Sequence, residues 1–334
     1  MGANALKPKE IAKRVEAYFD ERVMTITAPG GKRRGSYRVN FKDWSMIVSC
    51  RDNIQRTHYE AHVLQQIQDL CDTSPRFLGL DGNLMFQSDV GTVRLGQRVQ
   101  DLTAPAQEDL ADRAVAALFD VHRAGRETTM AADLPRLGAT NDWVQSFVNG
   151  SDKLVKKLKL DPVDIGKDAL CEFIGTPAVQ FVKWDCRSGN AAVDKTDKVR
   201  WFDFEYAGVR HGAEDFAWLI ADENWPIAPE TMMKIIEERF DGNYGRSWQD
   251  YKSYLEVYGA LHSIKRIVLI VRNAQRKGWV TPEKALHYDD VGVNPKLGLR
   301  LCEVGQYLAD QNKITEPVGK LLNSAAGMFA RTIG

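Results

Sequence analysis

The stretch VQFVKWDCRSGNAAV, residues 179–193, decides how the sequence is interpreted. Two apolar segments flank a polar loop, defined here as residues 183–190, that contains Asp185 and Asn190 in the pattern D-x-x-x-x-N. A second segment, VRWFDFEYAG (199–208), carries Asp203, 13 residues after Asn190. Both segments read as short strands bounded by turn residues. If these strands pair as a hairpin, the two carboxylates and the amide converge.

Two carboxylates and an amide form a small set of side chains that suits phosphoryl transfer. Mg²⁺ is commonly held by one or two carboxylates together with phosphate oxygens, and a further carboxylate can then accept a proton from a hydroxyl. Such reactions depend mainly on positioning and charge neutralisation. Taken alone, Asp185 and Asn190 could simply cap a turn, because both residue types favour turns. The downstream Asp203 and Asp215 favour the functional interpretation.

The segments on either side of this region differ in character. Up to about residue 90 the sequence predicts a helix, three strands, a second helix and two further strands, with a Gly-rich basic turn, PGGKRRGS, between the first two strands. Beyond it almost everything except the polar loop and its strands has helical periodicity. We therefore expect an α+β, bilobal architecture, with a small strand-rich lobe (1–90) and a larger, mainly helical lobe (91–334).

Composition excludes several classes of protein. The 334 residues carry a net charge of zero, with 44% hydrophobic and 27% charged residues, as expected of a soluble globular protein. Neutrality gives no support for a nucleic-acid partner, and no segment is apolar enough to predict a signal peptide or a membrane span. Five cysteines without a C-x-x-C pair indicate reduced thiols and a cytoplasmic location. The oligomeric state stays open.

The combined motifs resemble those of the aminoglycoside phosphotransferase and choline kinase family, which has a protein kinase-like fold. KWDCRSGN is similar to the family's H-G-D-x-x-x-x-N loop, and WFDFEYAG is similar to its I-D-F/W-E segment. The resemblance implies that Asp185 is the catalytic base and that Asn190 and Asp203 bind Mg²⁺. GAEDFAWL resembles the segment in which an aspartate, here Asp215, holds the catalytic loop.

The same resemblance implies a nucleotide site in the first lobe. HYEAHVLQQI is similar to the family's R-E-x-x-V-L helix, which makes Glu60 the acid of an ion pair. The expected cofactor-binding residues are Arg51, Glu60, the hinge residues Gln87, Ser88, Asp89 and Val90, and Gly35 and Ser36 of the Gly-rich turn. In that turn, Lys32, Arg33 and Arg34 could contact phosphates, although a solvated turn explains them better.

Three departures from the family pattern stand out, one of which is that the Gly-rich turn PGGKRRGS lacks a G-x-G-x-x-G pattern. Lys183 replaces the usual histidine two residues before Asp185, and it could support the loop or lie near phosphate, so it is kept as a catalytic candidate. The usual strand lysine is also missing. Ser49 or Arg51 could take its place, and Arg51 is favoured because a guanidinium can bridge phosphate and Glu60.

The resemblance implies an ATP- and Mg²⁺-dependent enzyme that moves the γ-phosphoryl group to a hydroxyl of a small molecule. An alternative is a degenerate kinase-like protein that binds nucleotide or a partner and catalyses little, as the two replaced residues suggest. A protein kinase is disfavoured because no A-P-E segment follows Asp203.

The acceptor is not identified by these motifs. Four aromatic residues near the site could form a cage for a quaternary ammonium ion, although core packing explains them better; they are Trp201, Tyr206, Trp218 and Trp225. Three acidic residues could bind a cationic acceptor, and a solvated face explains them equally well; they are Glu205, Asp222 and Glu223.

Overall fold

The computed structural model describes residues 7–29, 31, 35–51, 53–175, 179–242, 245–281, 283–284 and 293–333. The three basic residues of the Gly-rich turn, Lys32, Arg33 and Arg34, lie outside these ranges. Within the ranges, none of the helices combines the length and the apolar character needed to cross a lipid bilayer.

The first part of the chain forms an antiparallel sheet of five strands. The strands are β1 (Thr25–Thr27), β2 (Ser36–Asn40), β3 (Ser45–Cys50), β4 (Phe77–Asp81) and β5 (Leu84–Ser88), in the spatial order β1-β2-β3-β5-β4. Two helices accompany the sheet, α1 (Pro8–Phe19) and α2 (Ile54–Ile67).

Alternation along the strands gives this sheet one apolar and one polar face. On β2 and β3, Tyr37 and Val48 join a core to which α1 contributes Ile11. Their neighbours Ser36 and Ser49 instead line a cavity on the opposite face. Successive side chains of a strand point to opposite faces, so a single run of sequence builds both the core and the cavity wall.

The second part is mainly helical. Its longer helices are α4 (Ala104–Arg126), α5 (Asn141–Val148), α6 (Gly150–Leu158), α7 (Lys167–Gly175), α8 (Ala213–Ile220), α9 (Pro229–Arg239), α10 (Trp248–Lys277), α11 (Pro295–Asp310) and α12 (Glu316–Ile333), after a short α3 (Leu95–Arg98). The long helix α10 packs against α6, α8 and α11. This arrangement confirms the predicted bilobal α+β architecture.

Five short strands frame the polar loop. They are β6 (Val93–Arg94), β7 (Gln180–Val182), β8 (Ala191–Val193), β9 (Val199–Trp201) and β10 (Gly208–Arg210). Strands β8 and β9 form the antiparallel hairpin that the sequence suggested, and β7 pairs with β10. The strand expected over 199–208 ends at Trp201, because Asp203 adopts a left-handed backbone conformation (φ 65°) that a strand does not accommodate.

Candidate active site

The polar loop has an unusual backbone. Trp184 and Asp185 have φ values of 57° and 48°, and Asp203 on the facing segment has 65°. Non-glycine residues rarely adopt positive φ, at a cost of about 1–3 kcal/mol each, and such residues cluster at functional sites. Three of them in one cavity region therefore mark the place where the backbone is held against its own preference.

Asp215 of helix α8 and Asp222, two residues beyond the end of that helix, hold the loop from below. Both carboxylate oxygens of the buried Asp215 accept hydrogen bonds from the loop backbone, from the N–H groups of Lys183 and Trp184, at 2.8 Å each. His122 Nε2 lies 2.8 Å from the same carboxylate. Asp222, seven residues later, accepts from the backbone N–H of Ser188 at 2.7 Å. Asp215 thus holds the start of the loop, and Asp222 holds it near its end.

Lys183 supports the loop and does not line the cavity. Its side chain is fully buried, and its ammonium group donates to the backbone carbonyl of Asp203 at 3.1 Å. The same group lies 5.4 Å from the centre of the Phe204 ring. A buried ammonium requires such partners. Lys183 thus ties the polar loop to the Asp203 segment, which makes it a positioning residue in this geometry.

Asp185 points into the cavity between two partners. Arg187 Nε donates to its Oδ1 at 2.9 Å, and Asn190 Nδ2 donates to its Oδ2 at 2.9 Å. Asn190 also donates to the backbone carbonyl of Asp185 at 2.8 Å. The amide nitrogen of Asn190 is therefore committed to the loop, which leaves its Oδ1 oxygen to accept a ligand.

Asp203 is the carboxylate best suited to a cation. Burial by itself would raise its pKa, but the positive charges of Arg51 and Lys183 lower the pKa below its ordinary value. The group therefore stays ionised at neutral pH. Asp203 and Asn190 line the same cavity and offer one carboxylate and one amide oxygen. That hard-oxygen set fits Mg²⁺, which completes its coordination with water and phosphate.

Arg51 sits at the centre of a group of three carboxylates. Its Nη2 atom lies 2.6 Å from Oε2 of the fully buried Glu60 and 2.8 Å from Oδ1 of Asp203. Its Nη1 atom lies 2.8 Å from Oε1 of Glu205. Burial works to lower the pKa of this guanidinium, but the three carboxylates together raise it. Ser49, the other candidate for the missing lysine, also lines the cavity, where its hydroxyl accepts a hydrogen bond from Gln87 Nε2 at 3.4 Å.

The far wall of the cavity comes from the sheet and the segment that follows it. All four hinge candidates line the cavity; they are Gln87, Ser88, Asp89 and Val90. Asp89 forms an ion pair with Arg38 at 2.5 Å and accepts from the Ser45 hydroxyl at 2.8 Å, so its side chain is already engaged. The hinge backbone remains the part that could contact a flat base.

Gly35 has a different place from its neighbour Ser36. Ser36 lines the cavity, whereas Gly35 is not among the lining residues. The φ of Gly35 is 65°, and its carbonyl oxygen accepts a hydrogen bond from the backbone N–H of Cys50 at 2.7 Å. Both features are typical of a turn residue. A Cβ atom at this position would meet the Cys50 carbonyl oxygen at 2.2 Å, so only glycine is tolerated.

One cavity of about 360 Å³ brings most of the predicted residues together. Its lining includes Arg51, Glu60, Ser36, Asp185, Asn190, Asp203 and the four hinge residues, and it excludes Lys183 and Gly35. Arg38 and Arg187, which no sequence motif had indicated, also line the cavity. Arg187 lies inside the D-x-x-x-x-N pattern, and this position in the sequence could have predicted that it lines the cavity.

The sequence model of the phosphotransferase enzyme family (APH) matches residues 31–258. The chain belongs to this family. No curated protein sequence matches it at a significant level.

Solved structures with a protein kinase-like fold cover nearly the whole chain. Choline kinase LicA from Streptococcus pneumoniae is 12% identical, with a TM-score of 0.54 over 90% of this chain and 99% of that one. A choline/ethanolamine kinase family protein from Mesorhizobium loti is 12% identical (TM-score 0.55, 96% and 99%). A spectinomycin phosphotransferase in complex with ADP and spectinomycin is 10% identical (TM-score 0.57, 89% and 99%). The predicted kinase-like fold is thereby confirmed.

The four aromatic residues suggested as a cage are separated in the structure. Trp201, Trp218 and Trp225 belong to the hydrophobic core. Tyr206 is exposed and covers the guanidinium of Arg56, whose carbon lies 4.6 Å from the ring centre. These four side chains therefore form no common cage.

The three acidic residues suggested for a cationic acceptor are also engaged within the protein. Glu205 pairs with Arg51, Asp222 holds the polar loop through Ser188, and Glu223 pairs with Arg266 at 2.6 Å. None of the three is left to meet a cationic acceptor without giving up an internal partner.

Proposed function

We propose that this protein is an ATP-dependent phosphotransferase that transfers the γ-phosphoryl group to a hydroxyl of a small molecule. The observation that carries the proposal is the convergence of Asp185, Asn190, Asp203 and the Arg51–Glu60 pair on one cavity. These residues come from positions up to 152 apart in sequence. Family membership supports phosphotransferase chemistry in general.

Asp185 is the residue proposed to orient the acceptor hydroxyl and to take its proton. Its carboxylate lines the cavity and is fixed by Arg187 and Asn190, so that it presents a defined oxygen to a bound hydroxyl. A base must lie within hydrogen-bond reach of the proton that it accepts, and a rigid carboxylate at the cavity floor meets this need.

Asp203 and Asn190 are proposed to hold Mg²⁺, which would neutralise charge on the phosphates when bound. Arg51 donates to both Glu60 and Asp203 in this structure. When a nucleotide binds, we expect its guanidinium to exchange the contact with Asp203 for one with a phosphate and to keep its pair with Glu60. Arginine suits this task because its fork can serve two anions at once.

The remaining cavity wall is proposed to bind the nucleoside. The hinge (Gln87 to Val90) would contact the base through its backbone, and Ser36 would lie near the phosphates. On this proposal residues 1–90 form the nucleotide-binding lobe and residues 91–334 the catalytic and acceptor-binding lobe. The spectinomycin phosphotransferase structure is a complex with ADP, which supports the proposal of a nucleotide ligand.

Thermal unfolding with ATP tests this proposal most directly. A ligand that binds the native state raises the melting temperature by mass action. We expect ATP with Mg²⁺ to raise the melting temperature of the wild type and of a control variant at an exposed position, Asp161→Asn. In Asp203→Asn, most of the Mg²⁺-dependent rise in melting temperature should disappear. ADP release with hydroxyl compounds then measures turnover.

Two results would contradict the proposal in different ways. Absence of any nucleotide-dependent shift in the wild type would refute the nucleotide site altogether. A shift without Mg²⁺ dependence, and without ADP release, would instead identify the degenerate binding protein.

A further inference from the structure

An aromatic wall lies directly beside Asp185. The ring of Trp184, the preceding residue, is 6.2 Å from that of Trp143 and 6.1 Å from that of Trp218. Trp143 in turn stacks on Phe147 at 5.2 Å. Aromatic walls of this kind attract cations through the negative faces of their rings. The cation that lies against this aromatic wall therefore indicates which ligands the wall can accept.

The protein supplies that cation itself. On α10, the ammonium group of Lys265 lies 5.4 Å from the centre of the Trp218 ring and 6.0 Å from that of Phe147. Throughout the described ranges, no carboxylate comes within salt-bridge distance of it. Burial and the neighbouring Arg266 lower the pKa of Lys265, and the negative charge of Asp185 works to raise it. Trp218 contacts both this ammonium and the ring of Trp184, which links Lys265 to the residue that precedes Asp185.

Acidic residues near this wall already have cationic partners. Glu214 is fully buried, pairs with Arg210 and accepts from Trp184 Nε1 at 3.1 Å. Glu223 is held by both nitrogen branches of Arg266, at 3.0 and 2.6 Å. A cationic acceptor would thus meet Lys265 without a carboxylate to offset the repulsion.

A cleft of about 250 Å³ opens at Lys265 between α5, α6 and α10. Three cationic side chains line it, Lys153, Lys265 and Arg272, together with the rings of Trp143 and Phe147. The described lining contains no acidic residue. A partly buried ammonium without an anionic partner is unfavourable unless an anion reaches it, so this cleft suits a ligand that brings one.

We propose that the acceptor is an anionic hydroxyl compound, whose carboxylate or phosphate group binds Lys265 in this cleft while its hydroxyl reaches Asp185. The proposal rests on the proposed phosphotransferase function and specifies its substrate class. This class differs from the cationic compound named in the choline kinase structure, because an acceptor with its own positive charge would be repelled by Lys265.

Acceptor preference provides the first test. ADP release is measured with Mg·ATP and four hydroxyl compounds of similar size: glycerol, 2-aminoethanol, glycerate and glycerol phosphate. We expect turnover with glycerate or glycerol phosphate above that with the other two. The variant Lys265→Gln should raise the KM of the preferred anion about tenfold or more, as loss of a charge-assisted hydrogen bond predicts. Lys156→Gln, on an exposed lysine of α6 outside the cleft lining, should keep the wild-type KM.

Quenching of tryptophan fluorescence tests the cleft without any acceptor or catalysis. Iodide and caesium serve as anionic and cationic probes of the partly exposed Trp143 and Trp184. We expect Lys265→Gln to reduce quenching by iodide and to increase quenching by caesium, and Lys156→Gln to change neither.

The outcomes separate this inference from the proposed function. A preference for glycerol or 2-aminoethanol, no turnover with either anion, or identical iodide quenching in wild type and Lys265→Gln would each overturn the anionic cleft. Failure of the phosphotransferase proposal shows instead as a missing Mg²⁺-dependent shift with ATP. Anion-sensitive quenching that persists in that case would leave the cleft as an anion-binding site, with the substrate assignment refuted.

Discussion

Replacing Arg51 by methionine is the perturbation that tests the core of the site. Methionine has a similar length but no charge, so packing is largely kept while every ion pair of the guanidinium is lost. Glu60, which is fully buried, would keep the backbone N–H of Phe204 at 2.9 Å and lose its cation. Asp203 and Glu205 would then lie close to Glu60 without the guanidinium that offsets their mutual repulsion.

The expected cost follows from burial. Removing one member of a buried ion pair costs about 3–5 kcal/mol, because a charge remains without a partner. The Arg51 side chain is 14% exposed and Glu60 keeps one donor, so the lower end, about 3 kcal/mol, applies here. At about 2.1 cal/mol/K per residue, a chain of this length unfolds with an entropy near 0.7 kcal/mol/K, so the melting temperature falls by about 4 °C.

A double-mutant cycle provides the assay. Thermal unfolding is followed for wild type, Arg51→Met, Glu60→Gln and the double variant, all without nucleotide or Mg²⁺. Glutamine keeps the acceptor for the Phe204 N–H and removes the buried charge. We therefore expect the double variant to recover about 2 kcal/mol of the loss seen in Arg51→Met. Mg²⁺ should stabilise Arg51→Met more than wild type, since it meets Asp203 without a competing guanidinium.

Additive effects of the two substitutions, with a coupling below about 0.5 kcal/mol, would refute this reasoning. The same holds if Arg51→Met melts at the wild-type temperature. Either result would mean that the guanidinium does not compensate the buried Glu60 charge, and that the two side chains are in contact without a stabilising interaction between them.

Two further predictions concern the loop and the core. Asp185→Asn should lower kcat by about 100-fold or more, since general-base catalysis contributes 10²–10⁴-fold, while it keeps the Mg²⁺-dependent thermal shift with ATP; a kcat within a factor of three of wild type would remove Asp185 from its role as base. His211 is buried and stacks on Tyr254 with ring centres 3.9 Å apart, and burial lowers its pKa to about 3. In the unfolded chain His211 takes up a proton near pH 6.5, and in the folded chain it does not. Its contribution to the free energy of unfolding is therefore fully present above that pH. It is lost by about 1.4 kcal/mol per pH unit as the pH falls toward 3. Melting curves between pH 4 and pH 7 should therefore have a shallower pH slope in His211→Phe than in wild type, and parallel slopes would contradict the assignment.

Local patterns in the sequence were sufficient for the architecture and for the loop that carries Asp185 and Asn190. The alternation along β2 and the first part of β3 depends on neighbouring residues, and so does the turn chemistry that places Asp185 and Asn190 in one loop. The hairpin of β8 and β9 joins segments that are close in sequence. Predictions of this kind succeed because the interactions that decide them lie within a few residues.

The choice between Ser49 and Arg51 shows where such predictions stop. Positions 49 and 51 have the same parity, so strand alternation cannot separate them. What decides is the reach of the guanidinium to Glu60 on α2 and to Asp203, 152 residues away. Lys183 is a similar case, because its partner is a backbone carbonyl that a residue pattern does not reveal.

The sequence by itself determined a two-lobed α+β chain and the loop that carries Asp185 and Asn190, since periodicity and turn preference are properties of consecutive residues. Only the tertiary structure decided that Arg51 meets three carboxylates and that Lys265 lies against Trp218, whose ring contacts Trp184 next to Asp185. The physical reason is that charges act over distances in space. Their partners are chosen by the packing of helices and strands far apart in sequence.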